Sequence, residues 1–278
     1  MGIGTPNPPE NGSMKNRYDV HTHAFHPKIA AKVIHQLEDY YHVPSVGTGE
    51  FKDLARRLER AGLTRCCVHS AATSPEQVVP ANRWAISLKK KNPAFIPFGT
   101  MHPGFAKMED ELAVLWNAGI RGIKLHADFQ GFWLDDPALE PLFAAMEGRF
   151  TLMAHVGDAR PPKDNPSCPY KVAAIKRKFS RLQIIAAHFG GVHHWKWVID
   201  ALQGLDIYLD TSSTLWAIDQ ETLEALWNAF PRNHFLFGSD YPLFDPADEM
   251  ENLRQRLCLS EAQMEELLTN AEALQLIP

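Results

Sequence analysis

The sequence has 278 residues, of which 45% are apolar, and its 33 Asp+Glu and 28 Lys+Arg give a formal charge of −5. An apolar share near half fills a substantial core in a chain of this length, which excludes a largely disordered protein. The mild acidity, with only short basic runs, argues against binding to nucleic acid or to an anionic membrane.

The start of the chain differs in composition from the rest. Residues 1–13 are rich in Pro, Gly and Asn and lack the basic and apolar regions of a signal peptide, so we expect a flexible leader before a single domain over residues 14–278. The 4 cysteines show no C-x-x-C or disulfide-rich spacing, which is typical of a reduced, cytoplasmic protein. No apolar run approaches the roughly 20 residues of a membrane span.

Short runs of β-branched and aromatic residues alternate with segments of helical period along the whole chain. In chain order, the runs predicted as strands are 17–20, 65–69, 95–99, 122–125, 150–155, 183–188, 206–209 and 234–237. Between them, apolar residues recur three and four apart, and glycines such as Gly62, Gly119 and Gly148 stand where helices are expected to end. The last helix begins at Ser260, with Gln263 completing a capping box.

Eight strands that alternate with helices, in a chain near the usual size, predict an α/β fold of the (β/α)₈ TIM-barrel type. An open doubly wound sheet is the main alternative, but its first strand is expected to lead into a Gly-rich turn, and here it leads into His21-Thr22-His23. The longest connection, residues 26–50, is a candidate lid or oligomer contact.

Polar side chains follow several of the predicted strands, where the loops of a barrel converge. His21 and His23 are two apart on an extended chain, so they leave the same face and can bind one ion together. On its own this H-x-H pattern is also compatible with ordinary hydrogen-bonded histidines. Together with His155, His188 and Asp240 at other strand ends, this pattern predicts a metal site. Five polar side chains buried at one mouth would be costly without a partner, and a metal ion with its bound water would supply one.

These motifs resemble those of the amidohydrolase superfamily, and in particular the amidohydrolase-related branch that includes aminocarboxymuconate-semialdehyde decarboxylase. The motifs that carry the resemblance are Asp19-Val20-His21-Thr22-His23, Gly122-Ile123-Lys124-Leu125-His126, Met153-Ala154-His155-Val156-Gly157, Ala187-His188-Phe189-Gly190-Gly191 and Phe237-Gly238-Ser239-Asp240-Tyr241-Pro242. The similarity runs from about Arg17 to the C-terminus. It implies a metal-dependent barrel, in agreement with the strand count.

The resemblance also implies roles for individual residues. His21, His23 and His155 would be ligands of one divalent metal, with Zn²⁺ expected first and Mn²⁺, Fe²⁺ or Co²⁺ as alternatives. Asp240 would be a further ligand and would accept a proton from the metal-bound water. His188 would orient or protonate the reacting centre. A bound Zn²⁺ lowers the pKa of its water to about 7, so hydroxide is available at neutral pH.

Lys124 and His126 leave more than one interpretation open. A lysine that ends the fourth strand is, in binuclear members of the superfamily, carboxylated and bridges two metals, and His126 shares its face. Alternatively, Lys124 pairs with Asp19 or Asp128, or binds a substrate carboxylate. We favour these alternatives and a single metal.

Three residues near the strand ends are candidate substrate contacts. Arg160 can hold a carboxylate in bidentate fashion, and Trp216 and Tyr241 can pack on a flat substrate. The competing interpretation is a surface ion pair for Arg160 and ordinary loop packing for the aromatic residues.

The sequence therefore favours a metal-dependent hydrolase that cleaves a C–N or C–O bond in a small, carboxylated or cyclic molecule. The alternative is non-oxidative decarboxylation of an unsaturated or aromatic acid at the same site, since the two activities share these motifs. A barrel that binds metal without catalysis is the third hypothesis. The family resemblance adds the expectation of a homodimer.

Overall fold

A barrel of parallel strands is the centre of the computed structural model, which describes residues 15–277. The predicted leader, residues 1–13, lies outside the described residues. The strands, in chain order, are β1 Tyr18–His23, β2 Arg65–His69, β3 Phe95–Pro97, β4 Gly99–Thr100, β5 Gly122–Leu125, β6 Thr151–Ala154, β7 Gln183–Ala186, β8 Tyr208–Asp210 and β9 Phe235–Leu236.

Helices fill most of the connections between these strands. They are α1 Ala30–Tyr41, α2 Phe51–Arg60, α3 Val78–Lys91, α4 Met108–Asn117, α5 Ala127–Gln130, α6 Glu140–Met146, α7 Pro169–Lys178, α8 Trp195–Leu202, α9 Gln220–Ala229, α10 Pro246–Arg256 and α11 Glu261–Thr269. The predicted capping box is present at α11, where Ser260 and Gln263 bond to each other's backbone N–H groups. None of the helices in the described part of the chain has the length and apolar character needed to cross a membrane.

The strands close into a ring, which confirms the predicted TIM barrel. They pair in parallel in the orders β1-β2-β3 and β4-β5-β6-β7-β8-β9. The first and last strands are joined by the Val20 N–H, which donates to the Phe237 carbonyl at 2.8 Å. The carboxyl ends of all these strands meet at one mouth, so residues that follow them come together.

The third strand differs from its predicted form, because it is divided at Phe98 into β3 and β4. Pro97 precedes the break and has no N–H to donate to the ladder. The Phe98 N–H still donates to the Val68 carbonyl at 2.9 Å, so the two halves occupy one position in the barrel. The ring of Phe98 lies against Gly122, where a Cβ atom would be 2.3 Å from it. Glycine at this position therefore makes room for the ring.

Successive side chains of a strand point to opposite faces of the sheet, and this divides the apolar core into two parts. In β6, Leu152 and Ala154 belong to the large cluster between strands and helices, whereas Met153 belongs to a smaller cluster with Ile185 and Leu236 of other strands. By the same alternation, Lys124 lies between Ile123 and Leu125 and faces the barrel interior.

The long connection over residues 26–50 contains α1, which was not predicted as a helix. The only buried residue of α1 is Ala30, so the helix lies on the barrel rather than within it. Its C-terminal end reaches the mouth, where Tyr40 and Tyr41 line a pocket. Both functions expected of this connection, a lid or an oligomer contact, stay predictions.

Candidate metal centre

The ends of β1 and β9 bring two histidines and one aspartate together. His21, His23 and Asp240 each direct one ligand atom to a common point, with all three atoms within 4.8 Å of one another. The Asp240 Oδ1 atom is 3.1 Å from His23 Nε2 and 3.6 Å from His21 Nε2. Two imidazoles and a carboxylate form a donor set that suits a borderline divalent ion, so these residues fit the expected metal.

Backbone contacts between the first and last strands hold this cluster. The Asp240 N–H donates to the His21 carbonyl, and the His23 N–H donates to the Tyr241 carbonyl, both at 2.8 Å. Gly238 permits the close approach, because a Cβ atom there would be 2.9 Å from the Cβ of His21. The chain then turns through a left-handed conformation at Asp240, with φ of 65°, and this turn directs the carboxylate toward the histidines.

The charges of the cluster suit a cation. Burial lowers the pKa of His21 well below its usual value, so the ring is neutral at pH 7, as a ligand must be. Burial alone would raise the pKa of Asp240, but the positive charge that a neighbouring histidine carries when protonated, at His21 or at His23, holds it well below its ordinary range, and the hydrogen bond with His23 adds to this, so the side chain is a carboxylate.

Lys124 lies directly beside the cluster. Its amine is 3.1 Å from His21 Nε2, and the side chain is buried. Burial lowers the pKa of Lys124 to about 8. The ion pair predicted with Asp19 or Asp128 is not among the salt bridges of the described residues, and Asp128 is bound instead by Arg160.

His155 and His188 form a second cluster next to the first. His188 Nε2 is 3.0 Å from His155 Nδ1, and His155 Nε2 is 3.0 Å from the Gly157 carbonyl oxygen. His155 is therefore turned toward His188, and its nitrogens are not among the ligand atoms that converge with Asp240. The sequence prediction placed His155 with His21 and His23, whereas the structure places it beside His188.

His126 contributes to the wall of the site through its ring. It stacks between Phe129 and His155, with centroid distances of 4.0 and 3.7 Å. Its Nδ1 accepts the Phe129 N–H, and its Nε2 is 3.2 Å from the Tyr41 hydroxyl. These contacts use both nitrogens and do not include Lys124. His126, Asp128 and His155 each offer one ligand atom within 4.8 Å of the others, so they form a further group that could hold an ion.

A pocket of about 270 Å³ opens onto both clusters. Its lining includes Asp240 of the first cluster, both histidines of the second, the tyrosines of α1 and apolar side chains of the later loops. In full it consists of Tyr40, Tyr41, His42, Val43, His155, Gly157, Asp158, Ala159, His188, Val192, His193, Ser213, Trp216, Asp240, Leu243 and Phe244. No lysine or arginine is among these lining residues.

The three predicted substrate contacts have different positions. Trp216 lines the pocket, and its indole N–H donates to the Ser213 carbonyl at 3.1 Å. Arg160 is outside the lining and binds Asp128 at 2.8 Å and Asp158 at 3.1 Å. The prediction for Tyr241 needs correction, since its side chain is fully buried away from the pocket and its hydroxyl donates to Asp53 at 2.8 Å.

Three polar residues of the site were missed from the sequence, namely Asp210, Ser212 and Ser213. Asp210 Oδ2 is 2.9 Å from His21 Nδ1, and the Ser213 hydroxyl donates to Asp240 Oδ2. Ser212 contacts the Nδ1 atoms of His21 and His188 at 2.9 and 3.0 Å. Asp210 ends a barrel strand, so the rule that identified His155 and His188 also applied to it.

Comparison with known proteins gives a family and a fold. A family model described as amidohydrolase matches residues 18–274. No curated protein matches the chain. Among solved structures, an uncharacterized TIM-barrel protein from Bordetella bronchiseptica is 18% identical, with a TM-score of 0.74 over 93% of this chain and 98% of that one.

Two further solved structures carry an activity in their names. A dihydroxybenzoic acid decarboxylase from Polaromonas sp. JS666, with bound manganese and the inhibitor 2-nitroresorcinol, is 16% identical, with a TM-score of 0.69 over 94% of this chain and 97% of that one. A candidate 2-pyrone-4,6-dicarboxylic acid hydrolase from Pseudomonas putida is 14% identical, with a TM-score of 0.65 over 93% and 97%. At these identities the likeness concerns the fold.

Proposed function

The chain belongs to the amidohydrolase family, an enzyme family, and from this membership we propose that it is a metal-dependent decarboxylase of a small, single-ring acid. The proposal makes the second activity considered from the sequence the leading one. The observation that carries it is the lining of the pocket. It contains the hydrogen-bonded pair His155 and His188 together with aromatic rings, and it contains no lysine or arginine.

The size and charge of the pocket define the proposed substrate. A volume of about 270 Å³ suits a single ring, since pockets for larger ligands extend to roughly 1,000 Å³. Trp216 and Phe244 offer flat apolar surfaces. A second carboxylate would have no cationic partner in the wall, because Arg160 is bound by two aspartates. We therefore propose a substrate with one acid group.

His21, His23 and Asp240 are the proposed ligands, and His155 is a further ligand only if its ring turns away from His188. A divalent ion bound there would act as a Lewis acid toward oxygen atoms of the substrate. The ion is either Zn²⁺, as expected from the sequence, or Mn²⁺, which the Polaromonas decarboxylase contains. The nitrogen donors favour both over Ca²⁺.

His188 is the proposed proton donor. In decarboxylation the bond from the ring carbon to the carboxylate breaks, its electron pair stays on the ring carbon, and that carbon takes a proton as carbon dioxide leaves. His188 lines the pocket, and His155 holds its Nε2 at 3.0 Å. Asp240 is a poorer donor, because the neighbouring histidines keep its pKa low and its side chain ionised. Tyr40 and Tyr41 of α1 help to exclude water.

Support for this activity also comes from solved structures of similar fold, which include decarboxylases of dihydroxybenzoate and of 5-carboxyvanillate. Hydrolysis is the second candidate, and the position of Asp240 favours it. Its carboxylate lies beside the Nε2 atoms of His21 and His23 and can accept a proton from a water molecule bound there.

The test is an assay of carbon dioxide release and of product formation, with the purified protein loaded with Mn²⁺ or with Zn²⁺. The panel contains 2,6-dihydroxybenzoate as a ring acid with the single carboxylate that the pocket favours, 5-carboxyvanillate as the contrasting ring acid with two carboxylates, and 2-pyrone-4,6-dicarboxylate as a lactone. We expect carbon dioxide from a ring acid and the matching phenol as product. Opening of the lactone, with no gas from any acid, would replace decarboxylation by hydrolysis. His188→Ala is the matched variant, and it should abolish the gas without loss of bound metal.

A further inference from the structure

Asp210 and Ser212 are fully buried below the proposed metal site and have no role in the function proposed above. Asp210 forms no ion pair with a lysine or arginine in the part of the chain that the structure describes. A buried carboxylate is costly unless other groups compensate for it. The compensation here comes from hydrogen bonds with two histidines and one serine.

The contacts of Asp210 fix the direction of each hydrogen bond. Asp210 Oδ2 is 2.9 Å from His21 Nδ1 and, as a carboxylate oxygen, accepts its proton. Asp210 Oδ1 accepts the backbone N–H groups of His188 and Ser212, at 3.1 and 3.0 Å, and the Ser212 hydroxyl. The proton of that hydroxyl is therefore already donated, and the Ser212 oxygen is free to accept.

The Ser212 oxygen lies between the two histidines. It is 2.9 Å from His21 Nδ1 and 3.0 Å from His188 Nδ1, and the His188 Nδ1 atom is also 3.1 Å from the Ser212 carbonyl. Every neighbour of these two Nδ1 atoms is an acceptor, so each atom carries a proton. In His21 the lone pair of the neutral ring is then on Nε2, which faces Asp240. In His188 the nitrogen left to gain or lose a proton is Nε2, which faces His155 Nδ1. Because His155 Nε2 donates to the Gly157 carbonyl, the 3.0 Å hydrogen bond between these two nitrogens holds one proton.

We propose that Asp210 and Ser212 are a shared positioning pair that fixes the tautomer of both His21 and His188. Through His21 the pair directs a lone pair toward the proposed metal, and through His188 it leaves Nε2, beside His155 in the pocket lining, as the nitrogen that binds and releases a proton. Metal affinity and proton handling thus depend on one buried carboxylate. The inference for His21 rests only on the proposed metal site, and the inference for His188 rests on the proposed decarboxylation.

The experiment compares Asp210→Asn with Asp19→Asn. Asp19 is equally buried and accepts the His21 backbone N–H at 3.1 Å and the Ser239 hydroxyl at 2.6 Å, but within residues 15–277 it has no hydrogen bond with an imidazole nitrogen. Affinity for Mn²⁺ and for Zn²⁺ is measured by competition with a coloured chelator. The tautomers are measured from imidazole ¹⁵N shifts of the metal-free protein.

We expect Asp210→Asn to weaken metal binding by about 10- to 100-fold, the usual effect of losing a partner of a metal-bound histidine. The His21 ¹⁵N signals should also shift from the Nδ1–H form toward a mixture of tautomers. Ser212→Ala removes one hydrogen-bond partner from both rings and should weaken binding by up to about tenfold. It also provides the test if Asp210→Asn does not fold. Asp19→Asn should change neither quantity.

Unchanged affinity and unchanged tautomers in both Asp210→Asn and Ser212→Ala would overturn the proposal. Equal losses in Asp210→Asn and Asp19→Asn would also overturn it, because the effect would then belong to any buried acid. If the native protein releases no carbon dioxide while Asp210→Asn still weakens metal binding, the proposed decarboxylation fails and the positioning role at His21 stands.

Discussion

Asp240 joins the first and last strands through its side chain as well as its backbone. Its carboxylate contacts His21 and His23 on one side and the Ser213 hydroxyl on the other. An asparagine has the same shape but no negative charge, and its amide cannot take up a proton in the same way. The charge of this one residue is thus central to both candidate reactions.

We expect Asp240→Asn to keep the fold and to lower turnover at least about 100-fold, through loss of a metal ligand in decarboxylation or of the proton acceptor in hydrolysis. Metal affinity should fall with it. Steady-state assays with an accepted substrate measure the first effect, and far-UV circular dichroism checks the fold. A folded variant with turnover within about threefold of the native value would contradict the role of Asp240.

Trp216 and Arg160 allow a matched comparison at the rim of the pocket. Trp216 lines the pocket, so Trp216→Ala should raise KM about three- to tenfold through lost aromatic contact. Arg160 is half exposed and occupied by two aspartates, so Arg160→Ala should change kcat/KM by less than about threefold. The reverse order of effects would restore Arg160 as the carboxylate-binding residue that its sequence position suggested.

Helix α10 contains a buried acid in its first turn. Glu249 is 7% exposed, and its one side-chain hydrogen bond among the described residues comes from Asn252 at 3.4 Å. Burial raises the pKa of Glu249 from 4.5 to about 7. The folded protein therefore holds a proton on this group at pH values where the unfolded chain releases it.

The sign of the resulting pH effect follows from this difference. The contribution of Glu249 to stability is complete below pH 4.5 and is lost as the pH rises through about 7. Glu249→Gln resembles the protonated acid at every pH, so the free energy of unfolding of this variant should depend less on pH than that of the native protein. At pH 8 the variant should have the higher free energy of unfolding, by up to about 3 kcal/mol. Urea unfolding at pH 5 and pH 8 measures both values. An equal dependence on pH in the two proteins would show that Glu249 is ionised when buried.

The sequence was sufficient for the elements whose pattern is local. His155 and His188 were identified because each follows a continuous apolar run, and such runs predict buried parallel strands. Helix α1 was missed although Ala30, Val33, Ile34 and Leu37 recur three and four apart and give it a half-buried apolar face, because only the length of the connection was considered. Its assignment as a lid came only from the length of the connection.

The errors concern contacts between distant parts of the chain. Tyr241 follows Asp240 directly, which suggested a place in the site, yet its hydroxyl bonds to Asp53, a residue 188 positions away. The direction of the His155 ring depends likewise on His188 and Gly157. The residues at strand ends could be predicted, but the rotation of each side chain depends on neighbours that only the closed barrel provides.

The proposed metal should also stabilise the whole molecule. An ion that binds the folded chain alone adds about 2.7 kcal/mol when its concentration is 100 times Kd. Removal with a chelator should therefore lower Tm by about 5 °C and abolish turnover. Addition of Mn²⁺ or Zn²⁺ should restore both, whereas Ca²⁺, which prefers oxygen ligands, should not. Full activity after verified removal of metal would refute the metal-dependent mechanism.

The pairing of β1 with the last strand has a consequence for the order of events in folding. His23 and Asp240 are 217 residues apart along the chain, and they meet only where the first strand pairs with the last. A nascent chain that lacks β9 already has both histidines but not the carboxylate. Contacts between such distant residues form slowly, because a very long loop must close first. We therefore expect the three proposed ligands to come together late in folding, so that tight metal uptake during synthesis would mark the moment when the barrel closes.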